Sequence, residues 1–572
     1  MSRAPVPAAD IGPIEAQLAM LPGLDRLRSI VPSFAEASGD TVAAILGEAA
    51  AFAAEQLEGV NQAGEHMPPR LLDGCVRLAP VHRGVWQSYA SAGWMTLDLP
   101  VAHGGQGLPL VVAIAAQEIF DRHCAAFGML PVPSRSAARL IDAFAPDDLK
   151  AQWLPRLMFG EWGATICISE VGAGSDAGRM RTLAVPRDDG TWSVTGEKQW
   201  ISFGSHDLTE RIGHCLLART EGAKGLSLFL VPSEIGGASN GVFVRGLERK
   251  LGLHSSPTCA MGFEGATGFL LGEEGRGLQQ MFVMIANMRM AVGAMGLGMA
   301  GAAADIALAY ARDRRQGGNG PEPVPIIDHA DVQRMVLDMQ SDVEMARALI
   351  YAAAVETDLG RHEGDAERGR ESAALAQWLL PIVKTLGGEL AFDTASTAMQ
   401  LLGGAGYTAD WPVEQLLRDA RVLPIFEGTT GMQAIDLLHR RLWKEGGEGL
   451  RIFVGHFDEA IGRLEEMGER HEAGEAKVIL ALLIRTADRL KLMTARPREA
   501  EAGATAFLAL ATDAALGWSA ARLLAVPGDG PVERRLRALA GYGLARLGAR
   551  ARLHAEQALA GAARLEAVAT LA

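Results

Sequence analysis

Near Glu161 the apolar residues of this 572-residue chain stop recurring at helical spacing and begin to alternate, and near Gly275 the helical spacing returns. The two spacings, about 3.6 and about 2 residues, belong to helices and strands, so the order helical, alternating, helical segregates the strands into a middle domain. Residues 164–169, 182–186, 192–195, 214–218, 226–231 and 258–263 read as short strands. Turn signals separate them at Asp189-Gly190, Glu221-Gly222, Asn240-Gly241 and Ala266-Thr267-Gly268. So many short strands make a small barrel or sandwich. Before them, 43–57, 81–93 and 111–127 carry apolar residues at helical spacing, and 93–109 holds too many Gly and Pro for a helix. After them, helical spacing holds to about Arg441, broken at 317–325 and 402–407. The Gly-rich stretch 445–449 reads as a linker to an Ala-, Leu- and Arg-rich helical region.

The expected fold is therefore α with a central β domain. Its parts are a tail and lid segment at 1–40, a helical domain at 41–160, a β domain at 161–274, a helical bundle at 275–444 and an extra helical C-terminal domain at 450–572. A net charge of -14 and a pI near 5.5 argue against nucleic acid or an anionic membrane as the partner. Five scattered cysteines without paired spacing read as reduced thiols of a cytoplasmic protein. The first seven residues have no apolar signal core and read as a loose tail. The uncharged run between Arg289 and Asp305 is short for a membrane span and rich in Gly and Ala, which suits a buried helix. No metal-ligand spacing or serine-hydrolase elbow occurs.

Glu427 is the candidate base. It lies between the apolar pair Ile425 and Phe426 and the small Gly428, where one helical pattern stops and another begins. Partial desolvation there would raise its pKa toward a useful range, and Gly428 leaves room for a ligand beside the backbone. Thr429 and Thr430 offer hydroxyls at the next helix start. The plainer alternative is a carboxylate that merely favours a helix N-terminus. Two stretches imitate a dinucleotide fingerprint, at 172–177 and 296–301, but neither has a strand before it and a helix after it. The first does place backbone N–H groups beside Ser169 and Ser175, where a polar ring or phosphate could sit. Alternation on a strand puts Trp200 and Ser202 on one face, able to cover a planar group and bond its edge, although a core Trp is the commoner case. Arg314 and Arg315 before Gln316-Gly317-Gly318, and Gln400 before Gly403-Gly404, suit phosphate contact, or simply end helices.

Taken together, in order and separation, these segments resemble the acyl-CoA dehydrogenase family over roughly residues 80–440. The resemblance implies an N-terminal helical domain, a middle β-barrel and a C-terminal four-helix bundle enclosing one FAD. It implies that Glu427 removes the α-proton of an acyl-CoA thioester while the β-hydride passes to flavin N5, giving a trans-2-enoyl-CoA. The Glu427 N–H and a flavin ribityl hydroxyl would hold the thioester carbonyl. Carried over, Ile166, Ser169, Ser175, Trp200 and Ser202 are flavin contacts. Arg314, Gln400, Gly403 and Gly404 grip the FAD pyrophosphate of a neighbouring subunit, so the resemblance implies a homodimer or larger, and Thr429 touches FAD. Ser175, Arg289 and Gly428 touch substrate. An electron-transfer flavoprotein is the expected electron acceptor.

Some positions depart from the family pattern. Ile166 replaces an aromatic, Val171 a proline and Gly317 a phenylalanine. Met288 stands where some branches place an alternative glutamate base, which leaves Glu427 without an obvious rival. The run 202–208 and the long C-terminal region look like the longer branch that includes the 3-methylmercaptopropionyl-CoA dehydrogenases. An acyl-CoA oxidase, and a DNA-associated stress-response relative of the same fold, are the alternative activities.

Overall fold

A computed structural model describes residues 3–571. In chain order the helices are α1 Ile11–Ala19, α2 Leu24–Ile30, α3 Gly39–Phe52, α4 Glu58–His66, α5 Val81–Ser91, α6 Leu110–Gly128, α7 Pro131–Phe144 and α8 Asp147–Met158. After the sheet come α9 Gly277–Asp313, α10 Ala330–His362, α11 Ala366–Leu402, α12 Val413–Ala420, α13 Thr430–Ile435, α14 Glu448–Met467, α15 Arg470–Lys491, α16 Pro497–Glu501, α17 Ala504–Leu524 and α18 Pro531–Ala558. The strands are β1 Arg70–Leu72, β2 Cys75–Arg77, β3 Trp162–Cys167, β4 Leu183–Pro186, β5 Trp192–Ser202, β6 Arg211–Thr220, β7 Leu226–Pro232, β8 Glu234–Ile235, β9 Ala238–Ser239, β10 Val242–Leu247 and β11 Thr258–Leu270. The chain divides into two compact units. One holds Met1–Ala50, Pro109–Arg122 and Val292–Ala572; the other holds Ala51–Leu108 and His123–Ala291.

In the second unit, β11, β5, β4 and β6 follow one another, and β7 pairs with both β6 and β11, so the sheet closes on itself. β3 joins β6 in parallel and β10 joins β11 antiparallel. Every residue of β7 is buried, because one face fills the barrel and the other is covered. Inside lie Val194, Ile201, Leu216, Phe229, Val231 and Phe263. Outside, Leu228 and Leu230 share a cluster with Leu140, Trp153 and Leu157 of α7 and α8. The turn expected at 266–268 is absent: β11 runs through it, and register shifts between Cys259 and Met261 and between Phe263 and Ala266 absorb the glycines. The hairpin of β1 and β2 and the edge strand β10 carried no clear alternation and were not anticipated.

The first unit is helical. Leu349, Ile350 and Tyr351 of α10 and Leu379, Ile382 and Val383 of α11 are buried at its centre. A Cβ at Gly296 of α9 would lie 1.9 Å from the Gly387 carbonyl of α11, so these two helices touch backbone to backbone. α9 and α17 are long and apolar enough to cross a membrane by length and composition, but 89% and 83% of their most apolar windows are buried. From Arg3 onward the expected loose tail is instead tied down; Met1 and Ser2 lie outside the described residues. Arg3 donates to Gln415 at 2.7 Å, Ala4 to the Asp410 carbonyl at 2.8 Å, and Val6 is buried. The extra C-terminal helices are present, but α14–α18 belong to the same compact unit as α10 and α11 and do not stand apart behind a linker. The reason is that α17, buried nearly all round, packs together with α18 against α10, and α14 packs against α11.

Candidate active site

Glu427 lies between α12 and α13, in a backbone conformation with φ of +55°. Only a few per cent of non-glycine residues have positive φ, and the strain points to a local requirement. Its neighbour Gly428 has φ of +92°, which a side chain would resist. Glu427 is half-buried, with Leu423 and Pro424 buried before it and Ile425 exposed. The cap of α13 is Thr429, whose Oγ1 accepts from the Met432 N–H at 3.2 Å. Glu427 is thus not the cap of the helix.

Two fully buried side chains fix this turn. Lys384 Nζ donates to the Leu423 carbonyl at 2.8 Å and the Gly428 carbonyl at 2.7 Å. Gln433 Nε2 donates to the carbonyls of Glu427 and Gly428, both at 3.2 Å. Thr430 Oγ1 donates to Glu389 at 2.7 Å. Sequence reasoning missed Lys384, although it is the one charge between Trp378 and Gly388. A lysine in such a run is almost never buried without polar partners, and that was the available signal.

Arg314, Gln400, Gly403 and Gly404 are all exposed. Tyr310, one turn before Arg314, meets Trp411 edge-on at 5.1 Å, so the end of α9 neighbours the segment that follows Gly403 and Gly404. Gly403 ends α11 with φ of +63°, and neither glycine has an atom within 4 Å of where a Cβ would stand. A phosphate could therefore approach the backbone there.

In the barrel unit, Ile166 and Ser169 are half-buried at and just beyond the end of β3. The Gln199 N–H donates to the Ser169 carbonyl at 2.9 Å. Lys198, with no exposed side-chain surface, donates to the Ile168 carbonyl at 3.1 Å, the Leu217 carbonyl at 2.8 Å and Glu170 at 2.9 Å. Burial pulls the Lys198 pKa down, with Glu170 pushing back. For Glu170, burial raises the pKa, but bonds from Thr182 and Lys198 outweigh it and leave it below the usual carboxylate range. This pair joins the end of β3 to β5, which brings Ile166 and Ser169 to the strand carrying Trp200 and Ser202. Trp200 has a φ of +66°, outside regular strand geometry; it is 61% exposed and Ser202 is half-buried, with buried Ile201 between them. An aromatic held open in a strained backbone fits the covering of a flat ring. Ser175 is exposed in the turn beyond, and the guanidinium of half-buried Arg289 lies 5.6 Å from the centre of the Phe282 ring.

The chain matches known proteins over most of its length. The acyl-CoA dehydrogenase N-terminal, middle and C-terminal domain families match residues 40–161, 165–266 and 275–442. The chain is 38% identical to 3-methylmercaptopropionyl-CoA dehydrogenase of Ruegeria pomeroyi over 532 residues, 90% of this chain and 89% of that protein. It is 34% identical to the broad-specificity linear acyl-CoA dehydrogenase FadE5 of Mycobacterium tuberculosis over 65% of this chain and 64% of that one. Among solved structures, Caenorhabditis elegans ACDH-11 in complex with C11-CoA aligns with a TM-score of 0.78 at 21% identity, covering 94% of this chain and 91% of that one. An acyl-CoA dehydrogenase of Bacillus anthracis complexed with FAD aligns at 0.72 and 20% identity, covering 91% and 88%. These two likenesses concern the fold; the family assignment rests on the domain matches and the Ruegeria relative. This chain belongs to the acyl-CoA dehydrogenase family, flavoprotein oxidoreductases that act on acyl-CoA thioesters.

Proposed function

We propose that the chain converts a short or modest acyl-CoA to its trans-2-enoyl-CoA, with Glu427 as the base that removes the α-proton. The observation that carries the reading is the strained Glu427 backbone, fixed by Lys384 and Gln433 beside a helix start that Thr429 already caps. The Glu427 N–H donates to the thioester carbonyl, stabilising the charge that builds there as the proton leaves. Gly428, Ser175 and Arg289 would contact the substrate. Ile166, Ser169, Ser175, Trp200 and Ser202 hold the isoalloxazine of FAD, and Thr429 touches the same cofactor. Arg314, Gln400, Gly403 and Gly404 grip the pyrophosphate of FAD in a neighbouring subunit, which makes the enzyme a homodimer or larger. When bound, FAD supplies the acceptor for the β-hydride. An electron-transfer flavoprotein reoxidises the enzyme, in the cytoplasm.

Anaerobic titration of the FAD-loaded protein with a panel of acyl-CoAs, including butyryl-CoA and 3-methylmercaptopropionyl-CoA, tests this. At least one should bleach the flavin, and Glu427→Gln should slow bleaching by on the order of 100-fold or more. Undiminished bleaching in that variant would remove Glu427 from the role. Peroxide formed without an added acceptor would identify an oxidase instead.

A further inference from the structure

The turn that carries Glu427 is braced from outside itself. Within it, the Phe426 N–H donates to Val422 at 3.0 Å and the Thr430 N–H to Pro424 at 3.0 Å. Such bonds close a turn but do not select a left-handed residue at its tip. Two braces come from outside the turn: the Gln433 amide from α13, at the carbonyls of Glu427 and Gly428, and the Lys384 ammonium from α11, which alone reaches both Leu423 at the start of the turn and Gly428 at its end. A fully buried ammonium loses hydration worth several kcal/mol, and charge-assisted bonds to carbonyls return part of it. Gly388, one helical turn further along α11, lets the backbone of Leu423 and Pro424 come within 3.0 Å of where its Cβ would be. The same helix therefore supplies both the close approach and the charge.

We propose that Lys384 is a positioning residue for the reaction: it ties the two ends of the turn together and so holds Glu427 in the backbone conformation that aims its carboxylate. The proposal rests on Glu427 being the base. A lysine that only filled the core would matter for stability and not for the rate of proton removal.

The test compares the FAD-loaded wild type with Lys384→Met, Lys384→Arg, Glu427→Gln and the Lys384→Met/Glu427→Gln double variant. Lys384→Met should keep its FAD content and bind acyl-CoA within about 3-fold of wild type, yet reduce its flavin on the order of 100-fold more slowly, the scale expected for a misplaced reacting group. Lys384→Arg, which can still bond two carbonyls, should recover at least about 10-fold of that loss. The double variant should be no slower than Glu427→Gln alone, because both changes act through one carboxylate. A reduction rate in Lys384→Met within about 3-fold of wild type, or losses that multiply in the double variant, would overturn the proposal. Hydrogen exchange gives a readout independent of turnover: amides of residues 424–430 should exchange faster in Lys384→Met while those of α17 do not. Unchanged exchange in the turn defeats the positioning role whatever the enzyme oxidises. A wild type that no acyl-CoA reduces defeats the assigned reaction and leaves the exchange result to judge the tether. If Lys384→Met yields no soluble protein, Lys384→Gln, which is shorter and uncharged, takes its place: reduction within about 3-fold of wild type, or unchanged exchange at 424–430, would overturn the proposal.

Discussion

At the scale of single residues, the barrel unit contains two groups whose protonation should govern acid stability. His206 and His214 are buried and have pKa values pushed down to about 4 and about 3, by burial first; His206 further lowers His214, and Asp207 partly offsets the effect at His206. Unfolded, each would titrate near 6.5, so the unfolded state takes up protons that the folded state refuses. Their contribution is whole above about pH 6.5 and is lost as the pH falls toward 4. Between pH 7.5 and 5 the loss should be about 2 kcal/mol per histidine. Urea unfolding at the two pH values measures it, and a steeper fall in wild type than in His214→Gln is the expected result. The chemistry was partly legible at this scale. Glu427 was marked by its apolar flanks and by the break between two helical patterns, both local facts. The residues that hold it were not marked in the same way, because Lys384 and Gln433 act through backbone carbonyls whose places depend on packing. The φ of +66° at Trp200 was not legible, since alternation assumes a regular strand.

At the scale of elements, the helix contact between α9 and α11 depends on glycine. A Cβ at Gly387 would stand 2.6 Å from the Gly293 carbonyl, and one at Gly296 would stand 1.9 Å from the Gly387 carbonyl. Backbone cannot swing aside as a side chain can, so Gly296→Ala must force the helices apart. A loss of about 1–3 kcal/mol or more is expected, read as a lower melting temperature, with Gly455→Ala in α14 as the harmless control because open space surrounds that position. Strand positions were legible where short, mostly apolar runs lay between turn signals, as in β6 and β7. They were not legible where pairing relied on the partner: β10 is half exposed, and β11 passes through a Gly-rich stretch that read as a turn, carried by its bonds to β5.

At the scale of the whole molecule, the domain order was plain from periodicity, but the compact units were not, since they join stretches far apart in sequence. Removing residues 448–572 takes away α17 and α18. Ser341 of α10, which donates to the Leu539 carbonyl of α18 at 2.9 Å, would then lose its partner inside a buried surface. The truncated chain should lose cooperative unfolding of the helical unit and bind a hydrophobic dye, as differential scanning calorimetry and fluorescence would show; a sharp transition at the wild-type temperature would contradict this.

The first helices join late-made partners: Asp10 lies 3.5 Å from Arg535, and Gln17 donates to Glu344, which is 327 positions away. On a ribosome adding about 5–20 residues per second, Asp10 waits roughly half a minute to two minutes before Arg535 emerges. Until α10 emerges Ile14 and Leu18 lack the helix they pack on, and until α18 emerges the cover stays incomplete, so the nascent chain should depend on chaperones, and its soluble yield should rise when synthesis is carried out in the cold.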